Sequence, residues 1–244
     1  MELLTAMYAI NGKSGREAYI KDFVRAYVAN MPVCIEEDTV GNLFITKGAS
    51  RRYPCLVAHL DEVHDNPDRQ IIVEGDFISA INSNGDGVGV GADDKNGIWI
   101  ALRLLQKLPV LKVALFVGEE KLDGQPGCRG SRGCDLSVFD NCAYLLQCDR
   151  KGCSDVVTYY EKGQLSLCDD TFPPAHILAK YGYETCSGGR TDVVALRERG
   201  LLKNCCNISC GYYRAHTPDE YTRFSHLKNA LQFVEEWIAY NESL

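Results

Sequence analysis

At the start of the chain, apolar residues recur at helical spacing: Leu3, Leu4 and Met7, then Tyr19, Phe23 and Val24. This predicts that the first thirty residues are largely helical, with a break near Asn11-Gly12. The period then changes. In VCIEEDTVGNLFITKG apolar residues alternate on both sides of Gly41-Asn42, the mark of a β-hairpin. IIVEGDFISAI reads as a second extended pair. CLVAHL, VALFVG, AYLLQC and NCCNISCGY are short continuous apolar runs, as expected of strands covered on both faces, and VVTYY is a further strand. GIWIALRLLQKL, residues 172–181, DVVALRERG (stopped by Gly200) and HLKNALQFVEEWIAY predict helices.

Strands that alternate with helices predict an α/β fold. The expectation is a single three-layer domain, a mostly parallel mixed β-sheet with helices on both faces. With 244 residues, no repeat and no linker, residues 1–244 read as one domain large enough for a sizeable core.

Charge and cysteine content narrow the partners and the compartment. A formal charge of −7 argues against nucleic acid or an anionic membrane as partner. No apolar run approaches the ~18 residues of a membrane span, and MELLTAMYAINGK lacks the basic region of a signal peptide. A cytoplasmic protein is expected. The twelve cysteines sit mostly inside apolar runs and form no CxxC pair, so they read as reduced, buried small hydrophobes rather than a thiolate metal site. Cys128 and Cys134 bracket the loop after Glu120, where a disulfide is the less expected state in a cytosolic protein.

Five segments end in groups able to bind metal or move protons. His59 and Asp61 follow CLVA, Asp93 and Asp94 stand in a glycine-rich loop before a helix, and Glu119 and Glu120 end VALFVGEE. Asp149 ends AYLLQCD, and His216 lies beyond NISCGYYRA. Singly, each is more simply a cap or a solvated charge; an Asp before a helix is more often an N-cap than a ligand. Jointly they converge, because ligands of open α/β sheets bind outside the carboxyl ends of the strands. Carboxylates with two imidazoles suit zinc, cobalt or manganese better than calcium.

The ordered set His59-Leu60-Asp61, Gly91-Ala92-Asp93-Asp94-Lys95, Gly118-Glu119-Glu120, Asp149 and His216, with SGGRTD before the last strand, resembles the two-metal zinc exopeptidases of the M20, M28 and M42 types, peptidase T among them. The likeness runs from about residue 14 to the C-terminal helix. It implies the zinc-exopeptidase (phosphorylase/hydrolase-like) fold and two divalent metal ions per chain, zinc first, with cobalt or manganese as alternatives. By the resemblance Asp93 bridges both ions, His59 and Asp149 complete one site, and Glu120 and His216 the other. Asp61 would orient His59, Glu119 would be the general base for a metal-activated water, and the Asp93-Asp94 peptide would be cis. About forty residues separate Asp149 from Gly188, too few for the lid or dimerisation domain that peptidase T carries there. The expectation is a lidless catalytic domain, free to self-associate as a homo-oligomer, whose glycine-rich GQPGCRGS loop leaves room for substrate.

The substrate expected is a short peptide, and the activity an aminopeptidase. A carboxypeptidase, dipeptidase or N-acyl amino-acid deacylase on the same site remains open, as does a catalytically inactive binding domain; a single-zinc acyl transferase fits less well, since ligands for two metals are present. Arg190 bears on the choice: it would grip a substrate carboxylate, or else pair with Asp192. Tyr212 and Tyr213 would line the pocket or pack the strand end. Lys95 is expected to pair with Asp94 or a ligand carboxylate, and His64 and Asp65 to lie in a solvated loop. His176 and His226 read as structural or exposed.

Overall fold

The computed structural model describes all residues except 122, 123, 125, 162 and 244, so Gln125 of the glycine-rich loop lies outside the described residues. The chain opens with α1 (Glu2–Tyr8) and α2 (Ala18–Val28), separated at the expected break, and then forms the hairpin β1 (Val33–Glu37) and β2 (Leu43–Lys47). In its turn Asp38 Oδ1 accepts the amides of Val40, Gly41 and Asn42, and Gly41 takes φ +100°. β3 (Tyr53–His59) follows, then the second pair β4 (Gln70–Glu74) and β5 (Phe77–Ile81), short β6 (Gly87–Val88), α3 (Ala92–Lys107) and β7 (Leu111–Phe116). After α4 (Arg129–Gly133) come β8 (Cys142–Arg150), β9 (Asp155–Tyr160), β10 (Leu165–Ser166), α5 (Ala175–Tyr181) and β11 (Glu184–Gly188). The chain closes with α6 (Asp192–Glu198), β12 (Asn204–Ser209), β13 (Tyr212–Tyr213), β14 (Tyr221–Arg223) and α7 (Phe224–Glu242).

Nine strands form the main sheet, in the order β1-β2-β7-β3-β8-β12-β9-β10 with β11 beside β9. Its centre, β7-β3-β8-β12, is parallel, and antiparallel pairs flank it. Adjacent residues of the central strands feed opposite faces, as the period of two requires. Leu56 and Ala58 of β3 join one core with Leu4, Leu102 and Trp237, from α1, α3 and α7. Cys55 and Val57 join another with Val193 and Val194 of α6. This produces the continuous apolar runs in the sequence, and each such Leu or Val contributes about 1.5–3 kcal/mol of burial. Nine of the twelve cysteines are buried.

One departure from expectation lies at residues 172–181, where the helix starts only at Ala175; another is β11, a strand with no expected counterpart. Pro173 and Pro174 lack amides and push the residues before them out of helical geometry. A second sheet runs β13-β14-β5-β4 with β6 beside β5. Among the described residues, no helix is long and apolar enough to cross a membrane.

Candidate metal centre

His59 is the last residue of β3, Asp149 the penultimate residue of β8, and Glu119 and Glu120 follow β7. Asp93 opens α3, and His216 stands between β13 and β14 with a left-handed backbone, φ +64°. All of these except buried His59 line one cavity of about 370 Å³ at the carboxyl ends of the central strands. Gly97 permits the arrangement: a Cβ there would sit 2.6 Å from the Cys148 carbonyl, so only glycine lets α3 close onto β8.

Asp93 is the hub. Its Oδ1 lies 3.1 Å from His59 Nε2, which is 3.6 Å from Asp149 Oδ1. Its Oδ2 lies 3.3 Å from His216 Nε2, which is 2.7 Å from Glu120 Oε1. Ligands at about 2.0–2.1 Å from a tetrahedral zinc are about 3.3 Å apart. His59, Asp93 and Asp149, and separately Asp93, Glu120 and His216, offer donor atoms within 4.8 Å of one another. The two donor sets therefore fit two cations that share one carboxylate. Glu119 also comes within that distance of His59 and Glu120, while its Oε1 accepts the Cys128 thiol at 3.5 Å. The Asp93-Asp94 peptide is cis, as the resemblance implies.

The electrostatics point the same way. Burial, with Asp149, Asp192 and Glu120 nearby, pushes the Glu119 carboxyl well above the usual range. Burial and Asp93 bring Asp149 up to about 6. Hydrogen bonds to Asp93 and Glu120 raise His216 to about 10. Burial opposes a charge on His59, but Asp149, Asp61 and Asp93 outweigh it and the pKa rises. Several carboxylates crowded around two imidazoles form a donor set whose mutual repulsion a dication would offset.

Several further residues hold this arrangement, among them Tyr212, one of the two tyrosines expected to line the pocket or pack the strand end. Thr191 Oγ1 and Gln147 Nε2 donate to Asp149 Oδ2 at 2.8 and 3.1 Å, and the Tyr212 hydroxyl reaches Oδ1 at 3.3 Å. Gln147 was the most readable of these, since it lies two residues from Asp149 on the same face of β8. Glu220, almost wholly buried, accepts the amides of Gly91 and Asp93. Asp94 accepts the amide of Gly97 at 2.9 Å, an N-cap, and that of His59 at 3.2 Å.

Other expected residues act differently in the structure. Asp61 stands 3.5 Å from His59 Nδ1, but the nearer partner, at 2.9 Å, is the Asp61 backbone carbonyl. The Asp61 carboxylate accepts the amides of Glu119 and Glu120 at 2.9 and 3.1 Å and the Ser14 hydroxyl at 2.5 Å, which pins the paired glutamates. Lys95 pairs with neither Asp94 nor a ligand but with buried Glu62, at 2.8 Å. His64 is not solvated; its Nε2 meets Glu220 at 3.0 Å. Asp65 stays near the surface with Lys13 and Arg16. Arg190 lines the cavity but pairs with Glu198 instead of Asp192, and lies over the Tyr160 ring. Tyr213 turns away to bond His226 Nδ1 at 2.6 Å, and Tyr212 faces the cavity in its place. His176 packs edge-on against Tyr240.

No family model matches the chain. No curated protein matches it by sequence. Solved structures do match by fold. Aminopeptidase PepT of Bacillus cereus ATCC 10987 superposes with a TM-score of 0.80 at 14% identity, over 96% of this chain and 96% of that one. A tripeptidase of Staphylococcus aureus subsp. aureus mu50 gives 0.79 at 15% identity, over 97% and 96%. The TET1 peptidase of Pyrococcus horikoshii gives 0.70 at 14%, over 96% and 97%. At these identities the likeness establishes the fold.

Proposed function

We propose that this chain is a metal-dependent exopeptidase that hydrolyses short peptides, an aminopeptidase in type, acting as one catalytic domain without an inserted lid. The observation that carries the reading is the division of Asp93, one oxygen facing His59 and Asp149 and the other His216 and Glu120. Each set offers one imidazole and two carboxylates, a hard-to-borderline mixture that favours zinc, cobalt or manganese. The peptidase names of the solved structures that share the fold support the reading.

Two bound cations would polarise the scissile carbonyl and make a nearby water more acidic. The chain supplies the rest. Glu119, held by the Asp61 clamp on its amide, takes the proton from the attacking water and passes it to the leaving amine. Burial and the neighbouring carboxylates favour a proton on it, and bound cations would favour its release. Glu120 and Asp149 stay committed as ligands, the latter fixed by Thr191 and Gln147. Self-association as a homo-oligomer belongs to the proposal; the Pyrococcus horikoshii TET1 peptidase can assemble into a tetrahedron or a large octahedral shell.

The test is hydrolysis of free and N-acetylated dipeptides before and after chelation, with zinc, cobalt or manganese restored. The reading expects about two cations per chain, cleavage abolished by chelator and regained with metal, and loss of cleavage on N-acetylation. Cleavage that survives complete metal removal would sink it.

A further inference from the structure

Beside the candidate metal ligands, four basic residues line the same cavity: Arg150, Lys151, Arg190 and Arg214. The only carboxylates in that lining are Asp93, Glu119, Glu120 and Asp149. On the proposed reading three of these hold cations and the fourth moves a proton, and two dications balance the charge of four carboxylates. The positive charge on offer to a substrate is then that of Lys151 and of arginines whose own partners, Asp155, Glu198 and Asp219, lie outside the lining.

The partners of the basic groups leave them usable. Arg150 pairs with Asp155 at 3.0 Å and Arg214 with Asp219 at 3.5 Å, all four side chains at least a quarter exposed, at 28% and 38%, and 65% and 70%. Pairs this open are weak and easily shared. Lys151 is exposed and has no carboxylate partner among the described residues. A volume of about 370 Å³ is near the lower end of the ~300–1,000 Å³ of small-ligand sites, the size of a short peptide.

We propose that Lys151 and Arg214, with Arg150 beside them, form an anion subsite that takes a carboxylate of the substrate beyond the scissile bond. The preferred substrates are then short peptides with a free carboxylate inside the cavity, from the C-terminus or from an acidic side chain. The proposal rests on the peptidase reading for the position of the scissile bond.

The test compares Ala-Ala, Ala-Ala amide and Ala-Glu amide on the metal-loaded wild type and on the double variant Lys151→Gln, Arg214→Gln, both at exposed positions where folding tolerates change. The wild type is expected to favour Ala-Ala over its amide about ten-fold to a hundred-fold in kcat/KM, the worth of one or two charge-assisted hydrogen bonds. The difference should lie in KM, vanish in the double variant, and leave kcat on the amide unchanged. If the carboxylate comes from a side chain, Ala-Glu amide alone recovers the advantage. Equal cleavage of all three, or a variant that slows all three alike, overturns the proposal. If no peptide is cleaved, calorimetry of Ala-Ala and its amide on the zinc-loaded protein separates the two readings. Tighter binding of the acid keeps the anion subsite while the peptidase reading falls; equal binding removes the subsite as well.

Discussion

Glu220 holds the amide of Asp93 at 3.0 Å with one carboxylate oxygen and that of Gly91 at 2.7 Å with the other. It stands four residues after His216, so one carboxylate ties the His216 loop to the turn that carries Asp93. His64 meets the same carboxylate at 3.0 Å. Glu220→Gln replaces an acceptor by an amide group facing donors. The expected result is a loss of about ten-fold to a hundred-fold in cation affinity, felt at both proposed sites because Asp93 is common to them and stronger where His216 also takes part, the usual effect of outer supports. Titration against a competing chelator checks this. Unchanged affinity at both sites would remove Glu220 from the support of the centre.

Glu119 and Glu120 are neighbours with separate tasks in the proposed reaction, and paired variants separate them. Glu119→Gln keeps shape and is expected to retain both cations while kcat falls by about 10²–10⁴, the range of a lost general base. Glu120→Ala is expected to halve cation content. Metal analysis beside turnover distinguishes the two; near-full activity in Glu119→Gln would refute the base.

Tyr212 and Tyr213 test the side-chain parity of β13. Tyr212→Phe removes the hydroxyl 3.3 Å from Asp149 and is expected to lower kcat/KM by about three-fold to ten-fold, the worth of one hydrogen bond. Tyr213→Phe breaks the bond to His226 and is expected to cost about 0.5–1.5 kcal/mol of stability without changing kcat. Steady-state kinetics with thermal melts read both; the reverse assignment of effects would contradict the placement.

The same pair shows how much was legible in the sequence. Buried strands announce themselves as apolar runs, and charged residues at their ends mark where a crevice forms, so the strands of the central sheet and the positions of His59, Glu120 and Asp149 could be read. A two-residue strand such as β13 carries no alternation to fix its register, so which tyrosine faces inward was open. Lys95 was misread for a related reason. Its partner Glu62 is 33 positions away, three residues past the end of β3, and no spacing pattern links the two. Glu220 likewise acts through backbone amides, which leave no pattern of side-chain types to find.

Glu62 itself supplies the last prediction. It is almost wholly buried and pairs with Lys95 at 2.8 Å and Arg69 at 2.7 Å, and it accepts the Gly12 amide at 2.8 Å. Burial alone would raise its pKa, but the two cations outweigh that and hold it below the ordinary value. A carboxylate with a depressed folded pKa contributes stability that is present above its unfolded pKa of about 4.3 and is lost as pH falls through the folded value. Glu62→Gln leaves two buried cations short of their anion and is expected to cost about 3–5 kcal/mol at neutral pH. The gap between wild type and variant should narrow as pH drops below about 4.3, where the wild-type carboxylate also takes up a proton. Denaturant unfolding of both proteins in chelator, across that range, measures the gap free of bound metal. A pH-independent difference would mean that packing, and not the charge of Glu62, holds the Asp93 loop to the N-terminal helices.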